Sequence, residues 1–316
     1  MNAQTLSANA TVSGIQLSVD FSEPIHYVLY AYHIIFATSA VLLSGSVVVG
    51  ILKTKHLRIQ NRFVFMLSTS MCDVITGLSA YYSGLFDVQE GFPSRNGTYN
   101  ILPSFLGVNL LTFMFAQFDR YCAVCYPFYY ERFVSRSLVI GLCSYSWFHA
   151  SVLFQLVVNL IPPALANKLY AFSIATLQIV VLTNVALTIK LFFVARHQVA
   201  RDPPSAERDS KAESLKIIIV VVISFLILWY PAFVNIVVKQ ISKYGIYFKN
   251  DGSNPFLIMA RFNALSTSGL YVWGSPALRT AVWLIGWYKI FPRCTRRSNV
   301  HNGEVKIPAM PSIQRR

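Results

Sequence analysis

The chain has 316 residues, 54% of them hydrophobic and only 13% charged, where soluble domains carry nearer a quarter charged residues. The apolar residues are grouped into blocks of about 20 or more, long enough to cross a bilayer as helix, which argues against a soluble globular fold. The formal charge of +14 invites a nucleic-acid partner, but the basic residues are distributed loop by loop, which points to membrane topology instead.

Residues 1–25 form a polar N-terminal segment with no Lys or Arg, only Asp20 and Glu23, and with the acceptor sequon Asn9-Ala10-Thr11. The first basic residue is Lys53, so the first apolar run reads as a span and not as a cleaved signal peptide. Seven spans follow, at about 26–52, 62–86, 99–123, 137–161, 169–194, 215–238 and 255–274. They are too long for barrel strands, which leaves an all-α bundle of antiparallel neighbours joined by short loops.

Span two carries Asp73 in Ser70-Met71-Cys72-Asp73-Val74. An intramembrane carboxylate is costly to bury and is a functional-site hypothesis, with a purely structural polar contact as its rival. The loop after it holds a second sequon, Asn96-Gly97-Thr98. Span three contains Asn109, a candidate for the same polar layer as Asp73, and closes on Gln117-Phe118-Asp119-Arg120-Tyr121-Cys122. There Asp119 either simply neutralises Arg120 near the headgroups, or Arg120 exchanges partners between two states of the bundle. Glu213, at the start of span six, is the acid placed to compete for it.

Span six contains Phe225-Leu226-Ile227-Leu228-Trp229-Tyr230-Pro231. Pro231 removes a helical hydrogen bond and predicts a kink, with two aromatics directly before it. Span seven contains Asn263 and, six residues after Pro255, Arg261. That guanidinium is suited to a carboxylate or phosphate ligand, with snorkelling or a structural ion pair as alternatives. Ser275-Pro276 then opens a segment rich in Trp and Tyr, residues 275–292, which predicts a juxtamembrane amphipathic helix with Cys294 as a lipidation candidate. Residues 293–316 read as a disordered tail.

Charge sets the orientation. Four basic residues lie at the turn from span one to span two (Lys53, Lys55, Arg58, Arg62), three at or after the end of span three (Arg120, Arg132, Arg136), six between or at the facing ends of spans five and six (Lys190, Arg196, Arg201, Arg208, Lys211, Lys216), and eight after span seven. The opposite side has five: Arg95, Lys168, Lys239, Lys243 and Lys249. The positive-inside bias places the N-terminus outside and the tail in the cytoplasm. Both sequons then fall outside, where glycosylation is available.

In the order and placement of these motifs the chain resembles a rhodopsin-like (class A) G-protein-coupled receptor over residues 26–292, including orphan and chemosensory or odorant-receptor-like members. Asp119-Arg120-Tyr121 matches the family's Asp-Arg-Tyr, followed by Pro127. Asp73 matches its span-two Asp, Trp147 its span-four Trp, and Trp229-Tyr230-Pro231 its Trp-x-Pro switch. The resemblance implies a plasma-membrane receptor, not an enzyme. Its implied partners are an extracellular small-molecule ligand, a heterotrimeric G protein, arrestin and membrane lipids, with no nucleic acid. It implies that Arg120, with Asp119, Tyr121, Glu213 and Tyr271, forms the G-protein switch. Asp73, Asn109 and Asn263 would hold sodium and water, with no other cofactor. Leu102, Leu106, Trp229, Tyr230 and Arg261 would line the ligand pocket.

The chain also departs from the family. The usual disulfide to the second outer loop has no cysteines here, since Cys72, Cys122, Cys125, Cys143 and Cys294 all fall inside or within spans. The span-seven Asn-Pro-x-x-Tyr keeps only Tyr271, span one reads Gly45-Ser46, and span five lacks the customary Pro and inner Tyr. Leu102 at the amine-binding position disfavours an aminergic ligand, and Arg261 at the retinal-lysine position disfavours a photopigment. A small anionic or odorant-like ligand fits best. The competing readings are a receptor-like protein that does not signal, a transporter, for which no internal repeat is visible, and a membrane enzyme, for which the six His are scattered and no carboxylates cluster.

Overall fold

The computed structural model describes residues 16–88, 101–149, 163–201, 206–242 and 246–284. Every regular element among them is a helix; the sole β feature is an isolated bridge between Leu17 and Phe86. The elements are α1 (Pro24–Lys53), α2 (Lys55–Ile59), α3 (Asn61–Leu85), α4 (Ile101–Cys125), α5 (Pro127–Phe133), α6 (Arg136–Trp147), α7 (Pro163–Arg201), α8 (Ala206–Ser242), α9 (Pro255–Gly274) and α10 (Pro276–Val282).

Local chemistry sets the helix starts. Pro opens α1, α5, α9 and α10, where a missing N–H costs nothing because that donor has no intrahelical partner. Asn254 caps α9 by accepting from the backbone N–H of Phe256 and Leu257, and Ser135 and Ser275 cap α6 and α10 in the same way. Within the described residues, helices α1, α3, α4, α6, α7, α8 and α9 fall on the seven expected runs, the fourth over Arg136–Trp147 only. Two differences stand out. The connections after α1 and α4 contain α2 and α5, short helices not expected from the pattern, and α7 and α8 run well past the predicted spans into the connection between them.

Four helices contain a stretch long and apolar enough to cross a bilayer by length and composition alone: Pro24–Lys53, Asn61–Leu85, Ala175–Val194 and Leu215–Asn235. α9 is diluted by Arg261, Asn263, Thr267 and Ser268, all buried. The bundle has an apolar core that also encloses polar groups, and its outer surface is apolar: Asp73, Asn109, Gln117, Asn184 and Asn263 are buried, while Ile35, Leu42, Ile179, Leu182 and Ile227 are each more than half exposed. That arrangement suits a hydrocarbon surround, where outward leucines and isoleucines meet lipid and polar groups must find partners within the bundle.

α3 lies at the centre, packing against α1, α4, α6 and α9. α10 turns back onto α1, burying Leu278, Ala281 and Val282, while Trp283 and Leu284 beyond it are exposed. Within the expected 275–292 segment, the described helix is Pro276–Val282. Residues 285–292 of the expected 275–292 segment, Cys294, the tail, Asn9 and Asn96 lie outside the described residues.

Candidate functional site

The predicted residues fall into three levels along the bundle axis. At the end carrying α2 and α5, the inner end by charge count, Arg120 Nη2 lies 2.8 Å from Asp119 Oδ2. The other carboxylate oxygen accepts a hydrogen bond at 3.0 Å from the hydroxyl of Tyr130 on α5. Asn61, opening α3, donates in turn to Tyr130 Oη at 3.4 Å. Burial is the chief cause that raises the Tyr130 phenol above its ordinary range, and the Asp119 carboxylate adds to it, so Tyr130 remains a donor at neutral pH. Asp119 thus holds the neighbouring guanidinium and the loop helix together. Tyr121 faces the other way, with Lys190 Nζ of α7 at 4.6 Å from its ring centroid. Glu213 lies within α8, and its side chain falls outside the described residues.

At the middle level Asn109 Nδ2 donates to Asp73 Oδ1 at 2.8 Å, joining α4 to α3. Asp73 Oδ2 and Asn109 Oδ1 are buried and have no hydrogen-bond partner among the described residues. These are the hard oxygen donors an alkali cation takes, so this pair fits a sodium ion; Asn263 contributes differently. Its Oδ1 accepts from Thr267 Oγ1 at 3.1 Å within α9, leaving its buried amide nitrogen as the group without a partner. No trio of His, Cys, Asp and Glu converges on a metal position among the described residues. Tyr271 is fully buried and shares a 3.0 Å hydrogen bond with Thr69, tying α9 to α3. Two links between α4 and α7 escaped the sequence reading: Gln117 Nε2 to Thr188 Oγ1 at 2.9 Å and Asn184 Nδ2 to the Leu110 carbonyl at 3.3 Å. Buried Gln and Asn on facing spans were the available signal.

Trp229 is buried in a ladder along α8. Its ring stacks between Phe225 and Phe233, at 6.1 and 5.3 Å, and Phe225 meets Phe113 of α4 edge-on at 5.1 Å. Pro231 sits inside this same helix. Leu106 is buried in the adjoining core. Tyr230 is 62% exposed, on the outward face, and so is not brought together with Trp229. Leu102 lies in α4, with its side chain outside the described residues. Arg261 is only 1% exposed, the largest fully buried side chain among the described residues, so it does not snorkel to the surface. Its charge acts on Tyr32 and His33 of α1.

Above Arg261 the outer end is closed by three segments far apart in sequence. The Ser18 N–H donates to the Leu85 carbonyl at 2.9 Å, and its hydroxyl to the Gly84 carbonyl at 2.8 Å. Asn250 Nδ2 donates both to the Ser18 carbonyl at 2.8 Å and to Asp87 Oδ1 at 3.1 Å. The Asp251 N–H reaches the Val88 carbonyl at 3.0 Å, and His33 Nε2 lies 2.8 Å from the Gly252 carbonyl. Two glycines permit this closeness. A Cβ on Gly84 would stand 2.8 Å from the His33 ring, and one on Gly252 would stand 2.8 Å from the Gly84 carbonyl oxygen.

Residues 44–162 match the family of seven-transmembrane receptors of the rhodopsin type. The matched stretch contains Asp73, Asn109, Asp119-Arg120-Tyr121 and Trp147, and stops before Trp229, Arg261 and Tyr271. No curated protein matches the chain.

Proposed function

We propose that this chain is a rhodopsin-like seven-transmembrane receptor, a reading supported by the family match over residues 44–162, and that it binds an extracellular small molecule and activates a heterotrimeric G protein at its inner end. The observation that carries this reading is the Asp119 carboxylate, held at once by Arg120 and Tyr130. Such a carboxylate restrains the arginine in one state, and a second state can release it.

In this reading ligand binding shifts the population toward a conformation in which α8 swings outward about Pro231. The row of Phe225, Trp229 and Phe233, stacked along α8, would transmit the change toward Phe113 of α4, which Phe225 meets edge-on. Arg120 then leaves Asp119 and meets the G protein, with Tyr121 at the same end and Tyr271 one level deeper in the bundle, and arrestin competes for the opened cavity. Asp73 and Asn109 would hold a sodium ion whose positive charge stabilises the buried carboxylate in the inactive state. Arg261, buried toward the outer half of α9, favours an acidic or chemosensory ligand over an amine, since a cation would be repelled from that pocket. The receptor would act in the plasma membrane and catalyse no covalent step.

A second reading, a receptor-like protein that binds without signalling, is favoured by α7: it lacks the family's Pro and inner Tyr, and Lys190 lies against Tyr121. One experiment separates the two. Cells expressing the chain are screened against a small-molecule library, enriched in carboxylic acids, with a promiscuous G-protein reporter. Activation that Arg120→Ala abolishes, with surface expression and ligand binding retained, supports the signalling receptor. Binding without reporter response in the unmutated chain supports the second reading. Equal loss of binding and activation in Arg120→Ala would make the arginine structural.

A further inference from the structure

α4 ends on Cys122-Ala123-Val124-Cys125, the turn that follows Arg120 and Tyr121, and no step of the signalling mechanism uses either thiol. Both are free and only partly buried, whereas Cys72 and Cys143, the other cysteines among the described residues, are buried. The helix keeps its shape to this point. The Tyr126 N–H donates to the Cys122 carbonyl at 2.9 Å, and Cys125 is the last helical residue. Three residues apart on a helix, the two side chains lie on one face, and the two thiols act electrostatically on one another.

That spacing decides what the pair can do. Cβ atoms at i and i+3 of a helix stand about 5–6 Å apart, whereas a disulfide draws them to about 3.5–4.5 Å. Oxidation would therefore have to unwind the turn that the bond from Tyr126 to Cys122 closes. A cation seated between the sulfurs needs no such movement, because two metal–thiolate bonds of about 2.3 Å, the length found at zinc, span the wider gap. Among the described residues no trio of His, Cys, Asp and Glu converges here. The charge of Asp119 also reaches Cys122, but its two oxygens are held by Arg120 and Tyr130. Zinc fills four positions, so two sulfurs alone serve it poorly. A soft cation content with few thiolates is copper(I). Charge agrees with this choice: two thiolates around copper(I) leave a net negative charge, and the Lys190 ammonium of α7, which lies over the Tyr121 ring, interacts with Cys125.

We propose that Cys122 and Cys125 form a two-coordinate copper(I) site at the inner end of α4, with Lys190 balancing the charge of the complex. Each thiol gives up its proton as the ion binds, so two protons are released for one ion taken up. No electron moves, because the ion arrives and remains as copper(I). The bound ion clamps the turn that follows Arg120 and Tyr121 and holds it helical to Cys125. The site is built on α4 with one cation from α7, and it does not depend on whether the chain couples to a G protein.

The test uses the full chain, purified without oxygen and titrated against the copper(I) complex of bicinchoninate, whose colour fades as the ion is withdrawn. The protein is expected to withdraw one ion per chain, and X-ray absorption is expected to show two sulfur neighbours. Cys122→Ser and Cys125→Ser are each expected to weaken binding about a hundredfold or more, at least the loss seen when only an outer partner of a metal ligand is removed. Cys143→Ala, a cysteine on another helix, is expected to leave the affinity unchanged. Iodoacetamide labelling of the unmutated chain gives a second reading that no folding defect can mimic: copper(I) is expected to abolish labelling of Cys122 and Cys125 together. Retention of the ion by the double serine variant, protection of only one of the two cysteines, or three or four sulfurs about the metal would each overturn the proposal. No ligand or G protein enters these measurements, so a chain that holds copper(I) and never signals fails only the signalling reading.

Discussion

The two ends of the bundle are fastened by opposite means. At the outer end, residues near Ser18, Asp87 and Asn250 are joined across the full length of the chain, almost wholly by backbone groups and uncharged donors. At the inner end a single carboxylate, Asp119, holds its sequence neighbour Arg120 by charge and Tyr130 of the next helix by one hydrogen bond. The outer network is dispersed over many bonds that must break together. The inner one is concentrated on one atom group, so a single competitor for Asp119 or Arg120 can undo it. A closure of the first kind suits a fixed frame, and one of the second kind suits a switch. The absence of cysteines from the predicted outer loops fits the same contrast, since hydrogen bonds at Asn250 hold together what a covalent link would otherwise tie.

The largest expected effect that tests this contrast is at the outer end. Asn250→Ala strands the buried Ser18 carbonyl and removes a donor from Asp87, with a predicted loss of about 1–3 kcal/mol, the cost of leaving buried groups unsatisfied. Thermal unfolding of the detergent-solubilised protein measures it. If instead Asn250→Ala leaves stability unchanged while altering G-protein output, the outer end is a switch as well, and the distinction collapses.

A smaller effect is expected from the middle level, which decides to which end it belongs. Asp73→Asn keeps an oxygen for Asn109 to donate to and removes only the charge. Stability should therefore hold, and any sodium dependence of ligand binding should vanish, a coupling of about 1–2 kcal/mol, toward the lower end of allosteric couplings. Ligand titrations in sodium and in N-methylglucamine buffers read it. An unmutated protein indifferent to sodium would remove the ion from the account and leave Asp73 a structural partner of Asn109.

How much of this was legible in the sequence differs between the levels for physical reasons. Spans announce themselves because hydrocarbon demands an unbroken apolar run, and a charge within one stands out, so Asp73, Asp119 and Arg261 were visible at once. Tyr230 was drawn toward the pocket by adjacency to Trp229, yet successive helical residues point about 100° apart, and an inward Trp229 turns Tyr230 outward. The outer closure had almost no signal. Asn250-Asp251-Gly252 reads only as turn chemistry, and its partners are backbone carbonyls, which no side-chain pattern marks. Tyr130 was equally hidden, one of two adjacent tyrosines following Pro127 on a helix that the hydropathy did not predict. The family match, confined to residues 44–162, covers Asp73 and Asp119–Arg120 and ends before the departures of the later helices begin.

Tyr130 supplies the finest test of the concentrated inner end. Tyr130→Phe preserves the ring and deletes one hydroxyl, so Asp119 loses one of two partners while Arg120 keeps its own. The stability cost should be about 0.5–1.5 kcal/mol, the net value of a single hydrogen bond. If the inner end is a switch, that small loss falls on the restrained state alone and raises ligand-independent G-protein output in the reporter assay. If Asp119 merely neutralises Arg120, the same loss lowers melting temperature and leaves basal output where it was. The two outcomes separate because stability reports the sum of all states, whereas basal output reports only their ratio.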